Sequence, residues 1–348
     1  MTCGLLGKTL GHSYSPMIHS MLGIPDYLLF EKPEDELPNF LRNGDWTGLN
    51  VTIPYKKTVM QWVDVLSETA RACGCVNALV RTDDGKIYGD NTDVQGFTDM
   101  ISMAGYDPRM KKGLILGSGG ASAAVGTALH AMGAKTVVIS RTGENNYRNL
   151  ELHSDADFII NATPVGMNPL CNISPVDLSL FPTCRFAGDV IYNPARTEFL
   201  MQAQELGIPS ENGLYMLISQ ARRSAELFLG RSVETTETQR IFHLLKYSMQ
   251  NLVLCSSSSD LCVRTARVVG NITGRPYSGK IPSGKKEIAA AALLSGSIIT
   301  VTDTDARQYA RQLQRNGLFF CVDPYESNNA EYHASKIVNF LSSMEASK

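Results

Sequence analysis

The residues with the most legible chemistry are Gly117-Ser118-Gly119-Gly120. They stand between an apolar run at 113–116 (GLIL) and a small-residue stretch from Ala121 to about Met132. A glycine turn in that place lets backbone N–H groups and the positive end of a helix meet a pyrophosphate with no Cβ in the way. Gly117 and Gly119 take the first two positions of the dinucleotide fingerprint, and Ser122 is small enough for the third. Residues 136–140 follow at once as a second buried strand. The spacing predicts a βαβ unit with a dinucleotide as its ligand.

Other polar groups recur where strands end. Ser13 and Ser15 precede an amphipathic helix expected from Met17 to about Leu22, where hydroxyls either cap the helix or hold an anion such as a carboxylate. Residues 48–57 (GLNVTIPYKK) read as a strand stopped by proline, with Lys56 and Lys57 at its exit as solvated surface lysines or as part of a site. Asn77 stands in the strand candidate 76–80, and Asp93 in the polar insertion 89–93. Gly96 with Phe97, Met100 and Ile101 at helical spacing predicts a helix leading away. Further strands are expected at 4–6, 27–31 and 158–160, and a short helix at 37–42. Strands alternating with helices imply an α/β fold that collects polar residues at strand exits. One such insertion is ordinary turn chemistry, but their recurrence favours function.

At 348 residues the chain predicts two or three domains. With 43% hydrophobic and 19% charged residues it has the composition of a soluble globular protein. A formal net charge of -2 and the lack of a basic run give no reason to expect a nucleic acid or acidic membrane partner. The first residues have no cleavable apolar core, and no segment is apolar for the ~18 residues a membrane span needs. A cytoplasmic location is the expectation. Of the eight cysteines only Cys73-Gly74-Cys75 is closely spaced, with no His nearby, so reduced and mostly buried thiols are expected and no metal site.

Taken in order, HSYSP (12–16), NVTIPYK (50–56), GCVN (74–77), NTD (91–93), GSGGA (117–121), SRT (140–142), NATPVGM (161–167), DVIYNPARTEFL (189–200) and NGLYMLISQA (212–221) resemble shikimate dehydrogenase. The resemblance covers about residues 4–230. It implies a substrate-binding domain over 1–104, a Rossmann-type cofactor domain over 105–213, and a helical return and linker over 214–240, with the substrate in the cleft. The implied reaction is reversible NADPH-dependent reduction of 3-dehydroshikimate to shikimate, a step of chorismate and aromatic amino acid biosynthesis. Lys56 and Asp93 would be the catalytic pair. Ser13 and Ser15 would hold the substrate carboxylate with Tyr192 close by, and Asn50, Thr52, Asn77 and Gln220 would meet the ring hydroxyls.

For the cofactor, the resemblance implies Gly117, Gly119, Gly120, Ala121, Ser140, Arg141, Thr142, Ala162, Thr163, Gly213 and Met216. An NAD enzyme usually carries Asp or Glu at the end of the second strand. Ser140-Arg141-Thr142 offers instead a guanidinium and two hydroxyls, suited to a 2′-phosphate, so NADP is expected. Departures from the family pattern are Cys75 and Ala78 for the alanine and threonine of GAVNT, Ser20, Ser140, and Asn145 where a second basic residue often stands, for which Arg148 is a substitute.

The last part, 241–348, resembles shikimate kinase in the order of a strand at 251–254, a helix at 263–271 and a later segment at 306–323. Its chemistry is missing. The P-loop positions fall on residues 256–263 (SSSSDLCV), without the glycines, the lysine or the metal-binding hydroxyl, and Asp260 would repel phosphate. Ser278-Gly279-Lys280 replaces an acidic pair, and Leu294-Ser295-Gly296 a triple-glycine turn. The expectation is a degenerate P-loop-kinase-like α/β remnant without ATP chemistry. The rival readings are a quinate/shikimate dehydrogenase and a catalytically silent NADP-binding regulator. The assembly is left as monomer or homodimer.

Overall fold

A computed structural model describes residues 2–11, 13–167 and 173–249, and beyond them 252–255, 264–265, 277–278, 298–302, 319–321, 329, 332 and 335. The chain divides into two compact units, Met1–Pro164 with Pro175–Tyr192 and Gln202–Phe242, and Val165–Ser174 with Asn193–Met201 and His243–Lys348.

The first unit begins with β1 (Cys3–Gly7), α1 (Ser15–Met21), β2 (Tyr27–Glu31), α2 (Leu37–Asn43), β3 (Gly48–Val51), β4 (Val65–Leu66), α3 (Glu68–Cys73), β5 (Ala78–Arg81), β6 (Ile87–Asp90) and α4 (Thr92–Met103). Six strands form one sheet in the order β2-β1-β3-β5-β6-β4. β3 and β5, and β5 and β6, pair antiparallel, while the other neighbours are parallel. The register sets Asn50 against Ala78, and Ala78 against Asp90. The end of β3, the start of β5 and the end of β6 therefore share one end of the sheet. Asn77 and the turns that carry Lys56 and Asp93 all leave the strands at that end. The core beneath includes Leu6, Leu41, Trp46, Leu49, Val59 and Leu79.

A second sheet follows from β7 (Lys112–Leu116), α5 (Gly120–Ala131), β8 (Lys135–Ile139), β9 (Phe158–Asn161) and β10 (Phe186–Asp189), and after α6 (Glu198–Glu205) from β11 (Ser210–Glu211). It is parallel throughout, in the order β11-β10-β9-β7-β8. The glycine turn lies at the carboxyl end of β7, where the winding of the sheet reverses and ligands of such sheets bind. α7 (Leu214–Leu229) then packs on α4. Phe97, Met100 and Ile101, fully buried at i, i+3 and i+4, form the apolar face of α4. Burial of side chains this large stabilises by about 1.5–3 kcal/mol each. Gly96 lets the two helices meet closely, since a Cβ there would lie 2.7 Å from the Met216 carbonyl oxygen and 2.9 Å from Gln220 Cβ.

Two expectations are corrected. The strand expected as buried at 136–140 is an edge strand in which only Ile139 is buried, because β8 has a single neighbour and Val138 faces outward. α1 starts at Ser15 rather than Met17, because Pro16, with its fixed φ and no N–H to satisfy, suits the first turn. Among the described residues no helix is long and apolar enough to cross a membrane, and no group of three or more His, Cys, Asp or Glu could hold a metal ion.

α8 (Thr235–Met249) begins inside the segment read as linker and runs on past its expected end at 240. The second unit carries a separate sheet of β12 (Leu252–Cys255), β13 (Tyr277–Ser278), β14 (Ile298–Thr302) and β15 (Phe319–Cys321). Its strands are parallel, in the order β13-β12-β14-β15. The degenerate P-loop positions 256–263, Gly279-Lys280, 294–296 and most of 306–323 lie outside the described residues.

Candidate active site

Lys56 Nζ donates to Asp93 Oδ2 at 2.6 Å, with the two side chains 18% and 10% exposed. Lys56 stands beyond β3 in a turn held by Tyr55 N–H donating to Thr52 O at 3.0 Å and by Val76 N–H donating to Lys56 O at 2.8 Å. Asp93 is in the first turn of α4, whose cap residue Asn91 accepts the Asp93 N–H at 3.2 Å. Burial pulls the Lys56 ammonium toward a lower pKa. The charge and hydrogen bond of Asp93 pull it up, helped by the two nearby thiols, and the balance lies above the ordinary lysine value. Lys56 is therefore a protonated donor at neutral pH, aimed by a carboxylate.

Around this pair lies a buried polar floor. Asn77 Nδ2 donates to Thr92 Oγ1 at 3.0 Å, and Asn77 Oδ1 accepts the Thr92 N–H at 2.7 Å. Asn50 Nδ2 donates to Ser224 Oγ at 2.7 Å and to Asn77 O at 3.2 Å, while its Oδ1 accepts from the Tyr27 hydroxyl at 2.8 Å. Thr92 and Ser224 hydroxyls are 3.0 Å apart, and Thr92 Oγ1 lies 3.4 Å from Gln220 Oε1. His19, which burial pushes down to about 3 and keeps neutral, stacks on Tyr27 with ring centroids 4.1 Å apart. Thr92, Ser224, Tyr27 and His19 were missed in the sequence. Only Ser224, four residues after Gln220 on the same face of α7, had a spacing that could have pointed to it.

Ser13 and Ser15 stand at the start of α1, where Ser15 N–H donates to Ser13 Oγ at 3.2 Å. Between them, Tyr14 meets Tyr192 edge to face, centroids 6.0 Å apart. Burial raises both phenols, so they stay protonated donors. Tyr192, which follows β10, is thus brought to the serines. His12 lies outside the described residues. Thr52 lies just past β3, its N–H donating to Leu6 O at 2.9 Å.

The glycine turn comes down on the same pair. A Cβ on Gly120 would lie 3.2 Å from Lys56 Cδ, so the start of α5 rests on the lysine stem. Gly117 adopts φ +106°, a conformation side chains disfavour, and a Cβ there would lie 2.9 Å from Thr163 Cγ2. Gly119 caps α5 with open space where a side chain would be, and Ala121 is in the first turn. Ser122 Oγ donates to Gly117 O at 2.6 Å. Thr163 donates through N–H and hydroxyl to Asn161 Oδ1, at 3.0 and 2.7 Å, next to buried Ala162. Gly213 precedes α7, and Met216 is buried in its first turn. These features form a backbone cradle that fits a dinucleotide phosphate.

At the end of β8, Arg141 and Thr142 are exposed, and the Ser140 hydroxyl donates to Thr142 O inside the turn. Asn146 Nδ2 donates to Gly143 O and Asn149 Nδ2 to Glu144 O, which fixes the loop without using Arg141. Asn145 pairs with His153, and Arg148 is exposed.

A parallel nucleotide-type sheet set over a buried lysine–carboxylate pair defines an α/β oxidoreductase. Residues 5–79 match the shikimate dehydrogenase substrate binding domain. A shikimate dehydrogenase (NADP(+)) of Caldanaerobacter subterraneus subsp. tengcongensis is 35% identical over 257 residues, 65% of this chain and 91% of that protein. The crystal structure of a chorismate mutase/shikimate 5-dehydrogenase fusion protein from Clostridium acetobutylicum is 38% identical, covers 71% of this chain and 97% of that one, and gives a TM-score of 0.67. A shikimate 5-dehydrogenase from Thermus thermophilus, in complex with NADP(H) and shikimate, is 29% identical with a TM-score of 0.64, covering 70% of this chain and 99% of that one. This chain belongs to the shikimate dehydrogenase family.

Proposed function

We propose that the protein is an NADP-dependent shikimate dehydrogenase of aromatic amino acid biosynthesis, with Lys56 as its proton donor and acceptor. The observation that carries this reading is the largely buried Lys56–Asp93 pair at 2.6 Å, with Gly120 resting on the lysine stem. When bound, the nicotinamide supplies hydride to the carbonyl carbon of 3-dehydroshikimate or takes it back from shikimate. Lys56 stabilises the charge that develops on the substrate oxygen and gives it a proton. In the oxidative direction a neutral Lys56 accepts the hydroxyl proton. Asp93 keeps the amine aimed and hydrogen-bonds the same hydroxyl.

Ser13 and Ser15, with Tyr192, take the substrate carboxylate as neutral donors, so no second cation competes with Lys56. Thr52, Asn77 and Gln220 meet the ring hydroxyls. Asn50 joins them by exchanging one of its bonds to Ser224 or Asn77. Gly117, Gly119, Gly120 and Ala121 hold the pyrophosphate, and Ala162, Thr163, Gly213 and Met216 line the rest of the cofactor site. Arg141, with Ser140 and Thr142, takes the 2′-phosphate. The reading divides the chain at 104, 213 and 240. It makes 241–348 a degenerate kinase-like domain, supported by the parallel order β13-β12-β14-β15.

Purified full-length protein assayed with shikimate and with quinate, each with NADP⁺ and with NAD⁺, tests the assignment. The expected outcome is the highest kcat/KM for shikimate with NADP⁺. Preference for quinate would transfer the activity to that substrate, and no turnover with either would leave a silent binding protein.

A further inference from the structure

One cluster beside the catalytic pair has no part in that reaction. Cys73, the last residue of α3, and Cys75 bring their sulfur atoms to 3.2 Å. Gly74 between them has φ +65° and is exposed. Both thiols are free and buried, Cys73 at 7% exposure and Cys75 at 0%. They pack with Ala124 of α5, in the seam between the substrate-side helices and the nucleotide helix. Asn91 Nδ2 donates to both sulfurs at 3.2 Å and to Cys75 O at 3.0 Å. That same Asn91 caps α4 and holds the Asp93 N–H. Through Val76 N–H, the 74–76 segment is also tied to Lys56 O.

We propose that Cys73 and Cys75 are an oxidative modification site, a dithiol that hydrogen peroxide closes to a disulfide and that thereby slows the Lys56–Asp93 site. The effect on turnover rests on the function proposed above. The chemistry suits the pair. Cys75 is held below the ordinary thiol value, first by the Cys73 hydrogen bond and then by Lys56, against its burial. Cys73 is pushed up by the same hydrogen bond and by burial. Cys75 is thus the more readily ionised sulfur, with Cys73 Sγ 3.2 Å away as its hydrogen-bond partner, and the thiolate form is the one that reacts with an oxidant. Two cysteines one residue apart fall within the Cα separation of ~7 Å a disulfide accepts. A peroxide is the matching oxidant because it is small and uncharged, and Cys73, next to exposed Gly74, keeps 7% of its surface open.

The thiolate attacks one peroxide oxygen, the O–O bond breaks, and hydroxide leaves, giving a sulfenic acid. The second sulfur then attacks the sulfenic sulfur. The S–O bond breaks, and hydroxide leaves with the second thiol's proton as water. Two thiols lose two electrons, and the peroxide becomes two waters. Bond formation draws the sulfurs together by roughly an ångström and shifts the two sulfur acceptors of Asn91, the residue whose Oδ1 caps α4. Asp93 and Lys56 both hang on that frame, and a misplacement of about 1 Å can cost as much as a hundredfold in rate.

Trypsin releases residues 72–81 as one peptide, bounded by Arg71 and Arg81, that contains both cysteines. Full-length protein is treated with hydrogen peroxide, and the peptide mass and kcat for shikimate oxidation are followed together. The expected result is loss of two hydrogen masses from the peptide, a fall in kcat of about tenfold or more, and recovery of both with dithiothreitol. In Cys73→Ala the thiol-reversible fall is absent, and Cys73→Ser serves the same purpose should the alanine variant not fold. A peptide that keeps both hydrogens while kcat falls reversibly overturns the proposal. So does a disulfide that leaves kcat within twofold, or an equal reversible fall in the variant. The peptide mass does not depend on the substrate. A reduced protein that fails to oxidise shikimate therefore refutes the assigned activity without touching the modification site.

Discussion

The floor of the six-stranded sheet and the turn after β8 solve opposite problems. In the floor, the polar atoms of Asn50, Asn77, Thr92 and Ser224 are bonded to one another, and Lys56 is aimed by Asp93 at 2.6 Å. In the turn, asparagines fix the backbone while Arg141 and Thr142 stay at the surface. Buried charge has to be organised beforehand, because an unpaired ammonium without water is costly. Exposed charge can remain solvated until an anion arrives. The lesson is that removing a group from the floor should strike turnover, and removing one from the turn should strike binding.

The sharpest test of that contrast is Lys56→Ala. A fall in kcat of about 10²–10⁴, the usual worth of a positioned acid–base group, is expected with little change in KM. A variant that keeps kcat and only raises KM would place Lys56 among the binding groups. Asp93→Asn follows, with kcat down by about 10² and a changed pH profile. Asp93 is what lifts the Lys56 pKa against burial. Without it Lys56 loses its proton at lower pH, and the alkaline limb of the reductive rate moves to lower pH. A limb that stays in place, or moves up, contradicts the coupling.

On the turn, Arg141→Ala should raise KM for NADPH by about tenfold or more, the worth of one charge-assisted hydrogen bond. KM for NADH and kcat should hardly move. Equal losses for both cofactors would remove Arg141 from the 2′-phosphate. The smallest effect is expected at the α4–α7 contact that borders the floor. Gly96→Ala should lower stability by about 1–3 kcal/mol through overpacking against α7, read as a drop in Tm, since the Met216 carbonyl leaves no room for a Cβ.

The sequence made some of this visible because local pattern decides it. The Gly117–Gly120 turn, the face Phe97, Met100, Ile101 and the strand at 27–31 all depend on neighbours a few residues away. The exposed side of β8 was not legible, because TVVI reads the same at the edge of a sheet as in its middle. The antiparallel course of β5 and β6 and the two-residue β4 carry no spacing signal of their own. The floor was half visible. Asn50, Asn77 and Asp93 stood out at strand ends, but Ser224, Tyr27 and His19 reach it only through register and the return of α7.

That return has a consequence for how the protein is made. The hydrogen bond from Asn50 to Ser224 spans 174 positions of the chain. At translation rates of about 5–20 residues per second, roughly 9–35 seconds separate the two partners on the ribosome. During that interval Asn50 and Thr92 lack the Ser224 hydroxyl that α7 brings to them. The floor of the first sheet is therefore incomplete until α7 has been made, and the active site is among the last parts of the first unit to be completed.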